Sequence, residues 1–164
     1  MINDGSEKHL HSPRNINNNK AFTLLEVIIV LAVMALLGVI AWPNFKDFMA
    51  QRRLNGAARE VQGSLMAARM QAVSENRKIG QKIVNGSQYT LFRDNNNNGT
   101  MEAGEWIITK DIHPAYHDVV FSTSSGAVIF FYPNGTASPG TINIEGSTGS
   151  KRITISMGGR VKIN

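Results

Sequence analysis

The pattern of apolar and polar positions begins with a nearly uninterrupted apolar run. Residues 22–42 contain one charged side chain, Glu26. As an α-helix rising ~1.5 Å per residue, they would extend over about 30 Å, the thickness of one hydrocarbon core. A secretory signal usually has a shorter apolar region of ~7–15 residues that ends at small residues, whereas this run leads into Trp42-Pro43. The pattern therefore predicts a membrane-spanning helix rather than a conventional cleaved signal.

An amphipathic helix is predicted after this run. Pro43 lacks an N–H and disfavours helix at Trp42, so we expect a kink there, after which the helix resumes. Along residues 44–78, apolar side chains recur at three- and four-residue spacing, which is typical of a helix packed on a core. These positions are Phe45, Phe48, Met49, Leu54, Ala57, Ala58, Val61, Leu65, Ala68 and Ala72.

From residue 79 the pattern changes to short β-prone runs separated by turn residues. The Asn85-Gly86 pair between the first two runs predicts a hairpin with a type I′ turn, because both residues tolerate positive φ. The predicted fold class is α+β, with a long N-terminal helix, transmembrane and then amphipathic, packed on an antiparallel β-sheet head. Strands are predicted at residues 80–84, 89–92, 106–109, 119–121, 128–132, 141–144, 152–156 and 161–163.

Charge changes this picture mainly through its position. The formal net charge is +5, from 17 Lys and Arg against 12 Asp and Glu, which is a mild bias. Residues 1–21 form a polar leader with Lys8, Arg14 and Lys20 against Asp4 and Glu7. This positive excess favours a cytoplasmic N-terminus with the rest of the chain across the membrane. The chain has no cysteine, which excludes a disulfide framework and a thiolate metal site.

The residues around Glu26 carry a first resemblance. Lys-Ala-Phe-Thr-Leu-Leu-Glu at 20–26, followed by the apolar run, resembles the class III signal of type IV prepilins and pseudopilins. In that family a prepilin peptidase of the inner membrane cuts before the Phe and N-methylates it. The resemblance implies cleavage between Ala21 and Phe22, with Ala21 standing where the family most often has Gly. It also implies that Glu26 is an assembly contact, paired with the Phe22 amine of a neighbouring subunit.

Three further segments, residues 54–79, 131–144 and 151–163, resemble the H-type minor pseudopilins of type II secretion and the FimT-like minor pilins. The resemblance implies a single-pass inner-membrane subunit of a periplasmic or surface fibre, at or near its tip, whose partners are other pilins or pseudopilins. Residues 1–21 would be the leader, 22–42 the transmembrane and assembly helix, 43–79 its amphipathic continuation and 80–164 a periplasmic β-rich head. The sequence leaves open whether the fibre is a secretion pseudopilus or a type IV pilus.

An Asn-rich segment matches the spacing D-x-N-x-N-G-x5-E of a calcium loop. Its candidate ligands are Asp94, Asn96, Asn98, Thr100 and Glu105. However, predicted strands flank the segment in place of the two helices of an EF-hand, and Asn and Gly also favour turns for conformational reasons. A plain turn and a calcium site both stay open, and calcium is the only cofactor that the sequence suggests.

The C-terminal segment, residues 150–164, contains Lys151, Arg152, Arg160 and Lys162 and no acid. Such a cluster is able to contact phosphates. Gly159-Arg160-Val161-Lys162 resembles the C-terminal Gly-Arg-x-Arg motif implicated in DNA uptake by some FimT-like pilins, which makes DNA an alternative partner. An edge strand with outward charges explains the same residues without a ligand. No Ser/His/Asp or paired-Glu arrangement stands out, so we do not expect an enzyme.

Overall fold

The computed structural model describes residues 22–123 and 126–164, so the leader and Ala21 lie outside the described residues. The chain falls into two compact units, Met1–Val39 and Ile40–Asn164. Helix α1 begins at Leu24 and ends at Ser74. Helical residues continue on both sides of Pro43, so the helix is not interrupted there, and the kink stays a prediction.

One face of α1 forms the helical side of the core of the second unit. Its buried residues are Ala50, Leu54, Ala57, Ala58, Val61, Leu65, Ala68 and Ala72. The predicted stripe is therefore confirmed from Leu54 onward. It is wrong for Phe45, Phe48 and Met49, whose exposed fractions are 60%, 55% and 38%. These three residues precede Ala50, the first residue of α1 that is buried in the core.

Helix α1 ends five residues before the predicted boundary at residue 79 because of a left-handed residue. Asn76 has φ 50°. The Asn76 N–H donates to the carbonyl of Val73 at 3.3 Å, and the Arg77 N–H donates to the carbonyl of Ala72 at 3.1 Å. These two bonds form a Schellman motif, in which a left-handed residue stops the helix and satisfies its last carbonyls.

All eight predicted strands are found, but they form two antiparallel sheets in place of one. The first sheet has the order β3-β2-β1-β5 and the second has the order β4-β6-β7-β8. The strand bounds are β1 Ile79–Ile83, β2 Gln88–Arg93, β3 Trp106–Asp111, β4 Val120–Phe121, β5 Val128–Phe131, β6 Gly140–Gly146, β7 Gly149–Ile155 and β8 Val161–Ile163.

The β1–β2 hairpin is confirmed, whereas the predicted type I′ turn is wrong. Neither Asn85 nor Gly86 has a positive φ. Instead, the Asn85 Oδ1 accepts hydrogen bonds from the backbone N–H groups of Ser87 and Gln88, at 2.9 and 2.8 Å. A side chain that bonds the backbone two and three residues ahead closes the loop without a left-handed pair.

Both sheets and α1 bury side chains in one hydrophobic cluster. Leu65 of α1, Ile79 and Phe131 of the first sheet and Ile142 and Ile153 of the second are all at most 1% exposed. In β7, alternation buries Ile153 and Ile155 and leaves the intervening side chain facing outward. This alternation decides which of the basic side chains near the C-terminus share a surface.

Candidate assembly segment and ligand-binding surfaces

Glu26 lies in the first turn of α1, next to the residue that caps the helix. The backbone N–H of Glu26 donates to the Oγ1 of Thr23 at 3.2 Å. Thr23 thus stands at the N-cap and Glu26 three residues later, as in a capping box, and a first-turn acid also complements the helix dipole. Among the described residues, none forms an ion pair with the Glu26 carboxylate.

The apolar side chains at the start of α1 are exposed. Phe22 is 77% exposed, Leu31 60% and Leu37 58%. Within the described residues, α1 is the one helix long and apolar enough to cross a membrane, and its most apolar stretch has no buried residue. Such a continuous apolar surface is far larger than soluble monomers expose, so lipid or other apolar helices must cover it.

The Asn-rich segment forms the loop between β2 and β3, and its acids accept backbone N–H groups. The Glu105 carboxylate accepts from Asn95 at 2.9 Å and from Glu102 at 3.1 Å. The Asp94 Oδ2 accepts from Gly99 at 2.9 Å. Asp94 and Glu105 are buried, at 2% and 6% exposed.

A lysine ammonium contacts the first candidate ligand of this loop. Lys78 Nζ lies 2.6 Å from the Asp94 Oδ2 and 4.2 Å from the centroid of the Phe130 ring. In the part of the chain that the structure describes, no three carboxylate, imidazole or thiolate groups gather to hold a metal. A cation site here would therefore depend on amide and carbonyl oxygens beside two carboxylates.

The four C-terminal bases do not share one face. Arg152 is exposed and lies between the buried Ile153 and the half-buried Lys151, so Arg152 and Lys151 point to opposite faces of β7. On edge strand β8, Lys162 is exposed and pairs with Thr154. Arg160 is also exposed, and its carbonyl accepts a hydrogen bond from the Ser156 N–H at 3.0 Å. Because Arg160 is two positions before Lys162 along the extended chain, the two side chains lie on the same side of the strand.

The Gly158-Gly159 turn before β8 is occupied by contacts within the protein. The Gly159 N–H donates to the carbonyl of Ser156 at 2.9 Å. The Arg69 guanidinium donates its Nε–H to the carbonyl of Gly135 at 2.8 Å and its Nη2–H to the carbonyl of Gly158 at 3.3 Å. Arg69 thus ties α1 to two loops, and the glycines serve packing at this point.

Two ion pairs, one from α1 and one from the residue that follows it, were not apparent from the sequence. Arg53 donates to Asp118 through Nε at 2.5 Å and Nη2 at 2.8 Å, and these hydrogen bonds hold the pKa of Asp118 well below its usual range. Glu75 accepts from the Nε and Nη2 of Arg93 at 2.7 and 3.0 Å, and these bonds lower the pKa of Glu75 to about 2. Their partners are 65 and 18 residues apart in the sequence, and no local pattern connects them.

Two family profiles match the chain. The family described as type II transport protein GspH matches residues 57–159, which is more than half of the chain. The prokaryotic N-terminal methylation motif matches residues 16–42. The first match covers about the last third of α1 and most of the β-strands, and the second covers the segment with Phe22 and Glu26.

Curated relatives match over less than half of the chain. A fimbrial protein of Pseudomonas aeruginosa is 37% identical over 60 residues, which are 37% of this chain and 38% of that protein. A fimbrial protein of Moraxella nonliquefaciens is 31% identical over 71 residues, or 43% of each chain. The chain thus spans less than half the length of the curated relatives that it matches.

Two solved structures share the fold. The type IV minor pilin FimU of Pseudomonas aeruginosa is 22% identical, with a TM-score of 0.54 over 71% of this chain and 92% of that chain. The minor pseudopilin EpsH from the type 2 secretion system of Vibrio cholerae is 14% identical, with a TM-score of 0.51 over 68% of this chain and 96% of that chain. Both matches bear out the predicted pilin-like α+β fold.

Proposed function

The chain belongs to the type II transport protein GspH family within the type IV pilin and pseudopilin superfamily, and from that premise we propose that it is a minor subunit of a pilus-like fibre. It is a structural component of a type II secretion pseudopilus or a type IV pilus, located at or near the fibre tip. Its partners are other pilins or pseudopilins. It carries out no reaction of its own.

The observation that carries this proposal is the exposed apolar start of α1. It lies within the matched methylation motif, residues 16–42. Prepilin peptidase cuts between Ala21 and Phe22 and methylates Phe22. The helix of residues 22–42 then holds the subunit in the inner membrane, with the N-terminus cytoplasmic and the head periplasmic, until the subunit enters the fibre. The transfer is physically reasonable because lipid and a bundle of apolar helices both cover the same side chains.

Glu26 is the assembly contact in this proposal. A carboxylate within a bilayer costs on the order of 2.5–3.5 kcal/mol on insertion scales, so it needs water or a partner. The amine of Phe22 in the neighbouring subunit supplies that partner, and an ion pair that excludes water is favourable only when both charges are present. The first-turn position of Glu26 supports the pairing, because this position lies beside the N-terminus that cleavage creates.

Fractionation tests whether the chain enters a fibre at all. Membranes and purified fibres are prepared from the same cells and probed with an antibody against the head. The chain is expected in both fractions and in much lower amount than the main fibre subunit. A chain found in the membrane and never in the fibre would contradict the proposal.

DNA uptake is the second candidate function, favoured by one observation. Arg160 and Lys162 lie on the same side of an edge strand, next to the outward-facing Arg152, so the three form one basic surface. No further strand lies beside β8, so these exposed cations are able to contact the phosphates of a DNA duplex. Such a contact would serve DNA uptake in natural transformation.

Charge variants separate this candidate from a structural role. The full chain in detergent is titrated with fluorescent duplex DNA at two salt concentrations. Replacing Arg160 and Lys162 with Ala is expected to weaken binding at least tenfold and to reduce the salt slope by about 2. Lys151→Ala is the matched control, because it removes a charge from the neighbouring strand on the opposite face. Equal losses in both variants, or no binding at low salt, would remove the DNA hypothesis.

A further inference from the structure

The β2–β3 loop, residues 94–105, contains a buried carboxylate oxygen that has no donor, and we propose that this loop binds one calcium ion. The side chain of Asp94 is 0% exposed. Its Oδ2 accepts from the N–H of Gly99 and contacts the ammonium of Lys78. Its Oδ1 has no hydrogen-bond partner among the described residues. A buried oxygen without a donor is rare in folded proteins and indicates an ordered water or an ion.

A second buried carboxylate lies beside Asp94. Glu105 is 6% exposed, and its Oε1 accepts from the N–H of Asn95, the residue that follows Asp94. Each carboxylate has about four lone-pair sites, so these backbone bonds leave capacity for a cation. Two buried acids at the two ends of one loop favour a cation in that loop.

Neutral oxygens of the loop complete the proposed ligand set. The Oδ1 of Asn96 accepts a single N–H, that of Asn98, at 3.1 Å. The Oδ1 of Asn98 accepts from the N–H and Oγ1 of Thr100, at 2.8 and 2.7 Å. Together with the Thr100 carbonyl, these are the hard oxygen donors that calcium takes in numbers of six to eight, with water filling the remaining places.

A second loop of the protein contains the same Asn-Gly-Thr turn without buried acids, so it shows which hydrogen bonds come from the turn itself. Asn134-Gly135-Thr136 repeats the sequence of Asn98-Gly99-Thr100, and the Asn134 Oδ1 also accepts from the N–H and Oγ1 of Thr136, at 3.1 and 2.7 Å. The glycines of the two turns have φ 80° and 76°. The turn therefore forms without a cation, and the buried acids distinguish the 94–105 loop.

Lys78 limits the affinity of the site. Its ammonium contacts the Asp94 Oδ2, the oxygen that also accepts the N–H of Gly99, and it offsets one of the two buried negative charges. Because the set has few carboxylates, we expect a dissociation constant of about 0.1–1 mM, as in extracellular calcium modules. Magnesium requires a near-ideal octahedral geometry that a set of loop amides does not supply.

Calcium titration of the full chain in detergent tests the proposal. Calcium chloride at about ten times the dissociation constant is expected to raise the melting temperature by about 3–5 °C relative to EDTA. Equilibrium dialysis is expected to find one calcium per chain, and magnesium chloride is expected to give a smaller shift. An unchanged melting curve together with no bound calcium would overturn the proposal.

Matched variants assign the effect to the loop. Asn98→Ala is expected to reduce calcium affinity at least fivefold, whereas Asn134→Ala, which removes the equivalent turn bond elsewhere, is expected to retain it. Lys78→Met is expected to lower the melting temperature in EDTA and to enlarge the calcium shift, because it removes the competing charge. Equal calcium binding by the Asn98 and Asn134 variants would contradict the assignment, as would a Lys78 variant with a smaller calcium shift.

Discussion

At the scale of single residues, Glu26 has a local contact and, in the proposed function, an intermolecular role. Its backbone N–H bonds the cap residue Thr23, and this bond does not depend on the side-chain charge. Its carboxylate has no ion-pair partner among the described residues of its own chain, and in the proposed function the partner is the Phe22 amine of a neighbouring subunit. The two roles predict different effects of substitution.

Glu26→Gln is expected to leave the fold intact and to prevent assembly. Losing one partner of a buried ion pair costs about 3–5 kcal/mol, so the amount of this chain recovered in fibres should fall by a factor of ten or more. Quantitative immunoblotting of purified fibres measures the loss. Asp47→Asn is the matched control, since it removes one exposed acid from the same helix. Normal recovery of the Gln variant, or an equal loss in both, would contradict the role of Glu26.

Gly159 is predicted to be the more sensitive of the two adjacent glycines. It has φ 74°, and an added Cβ would meet the carbonyl oxygen of Gly135 and the Arg69 side chain, whereas a Cβ at Gly158 would meet nothing within 4 Å. The left-handed conformation alone costs a non-Gly residue about 1–2 kcal/mol. Gly159→Ala should therefore lower the melting temperature of the full chain by about 4 °C or more.

Gly158→Ala provides the comparison in the same thermal unfolding measurement. Its effect is expected to stay within about 0.5 kcal/mol, as for ordinary surface changes. If the two alanine variants melted together, the packing of the turn against Arg69 would not be as described.

At the scale of elements, the end of α1 is tied to β2 by the pair of Glu75 and Arg93. Hydrogen bonds from Arg93 lower the pKa of Glu75 from 4.5 to about 2. Because the folded-state pKa is depressed, the stabilisation is fully present above about pH 4.5 and is lost as the pH falls toward 2. The pair is partly exposed, at 36% and 29%, so the effect is modest.

Glu75→Gln tests this linkage. Melting temperatures of the full chain are measured between about pH 6 and pH 2. The variant is expected to be less stable than the wild type near pH 6, and the difference is expected to shrink toward pH 2. A difference that stayed constant across this range would show that the Glu75 charge does not contribute to stability.

The sequence located the elements better than it located their connections. Alternation and turn residues predicted all eight strands, and helical spacing predicted the buried positions of α1 from Leu54 onward. Both are local properties of the chain. The division into two sheets depends on pairings such as Ile79 with Phe131, and pairings between distant residues leave no periodic trace. The Arg53–Asp118 pair could not be predicted for the same reason, because its two residues are far apart in the sequence.

Side-chain competition explains the element-level errors. Asn85 and Gly86 matched a type I′ turn by composition, but the Asn85 side chain supplies the turn bonds and removes the need for positive φ. Asn76 ends α1 by adopting the left-handed conformation, which Asn does without the help of Gly. Among the candidate sites, the sequence identified the four C-terminal bases as one cluster. The strand bounds of the structure were needed to show that Lys151 lies on the opposite face of the sheet from the other three.

At the scale of the whole molecule, the family membership and the exposed apolar helix lead to the same account. In the proposed function, a subunit with this helix is a membrane protein before assembly and part of a fibre afterwards, and Phe22 becomes its first residue in between. The identity of the N-terminus therefore connects the sequence motif, the helix and the proposed function.

Mass spectrometry of the N-terminal peptide from fibre-incorporated protein tests this account most directly. The account predicts that the peptide starts at Phe22 and carries one N-methyl group. A fibre-incorporated chain that begins at Met1, or at any residue other than methylated Phe22, would contradict it.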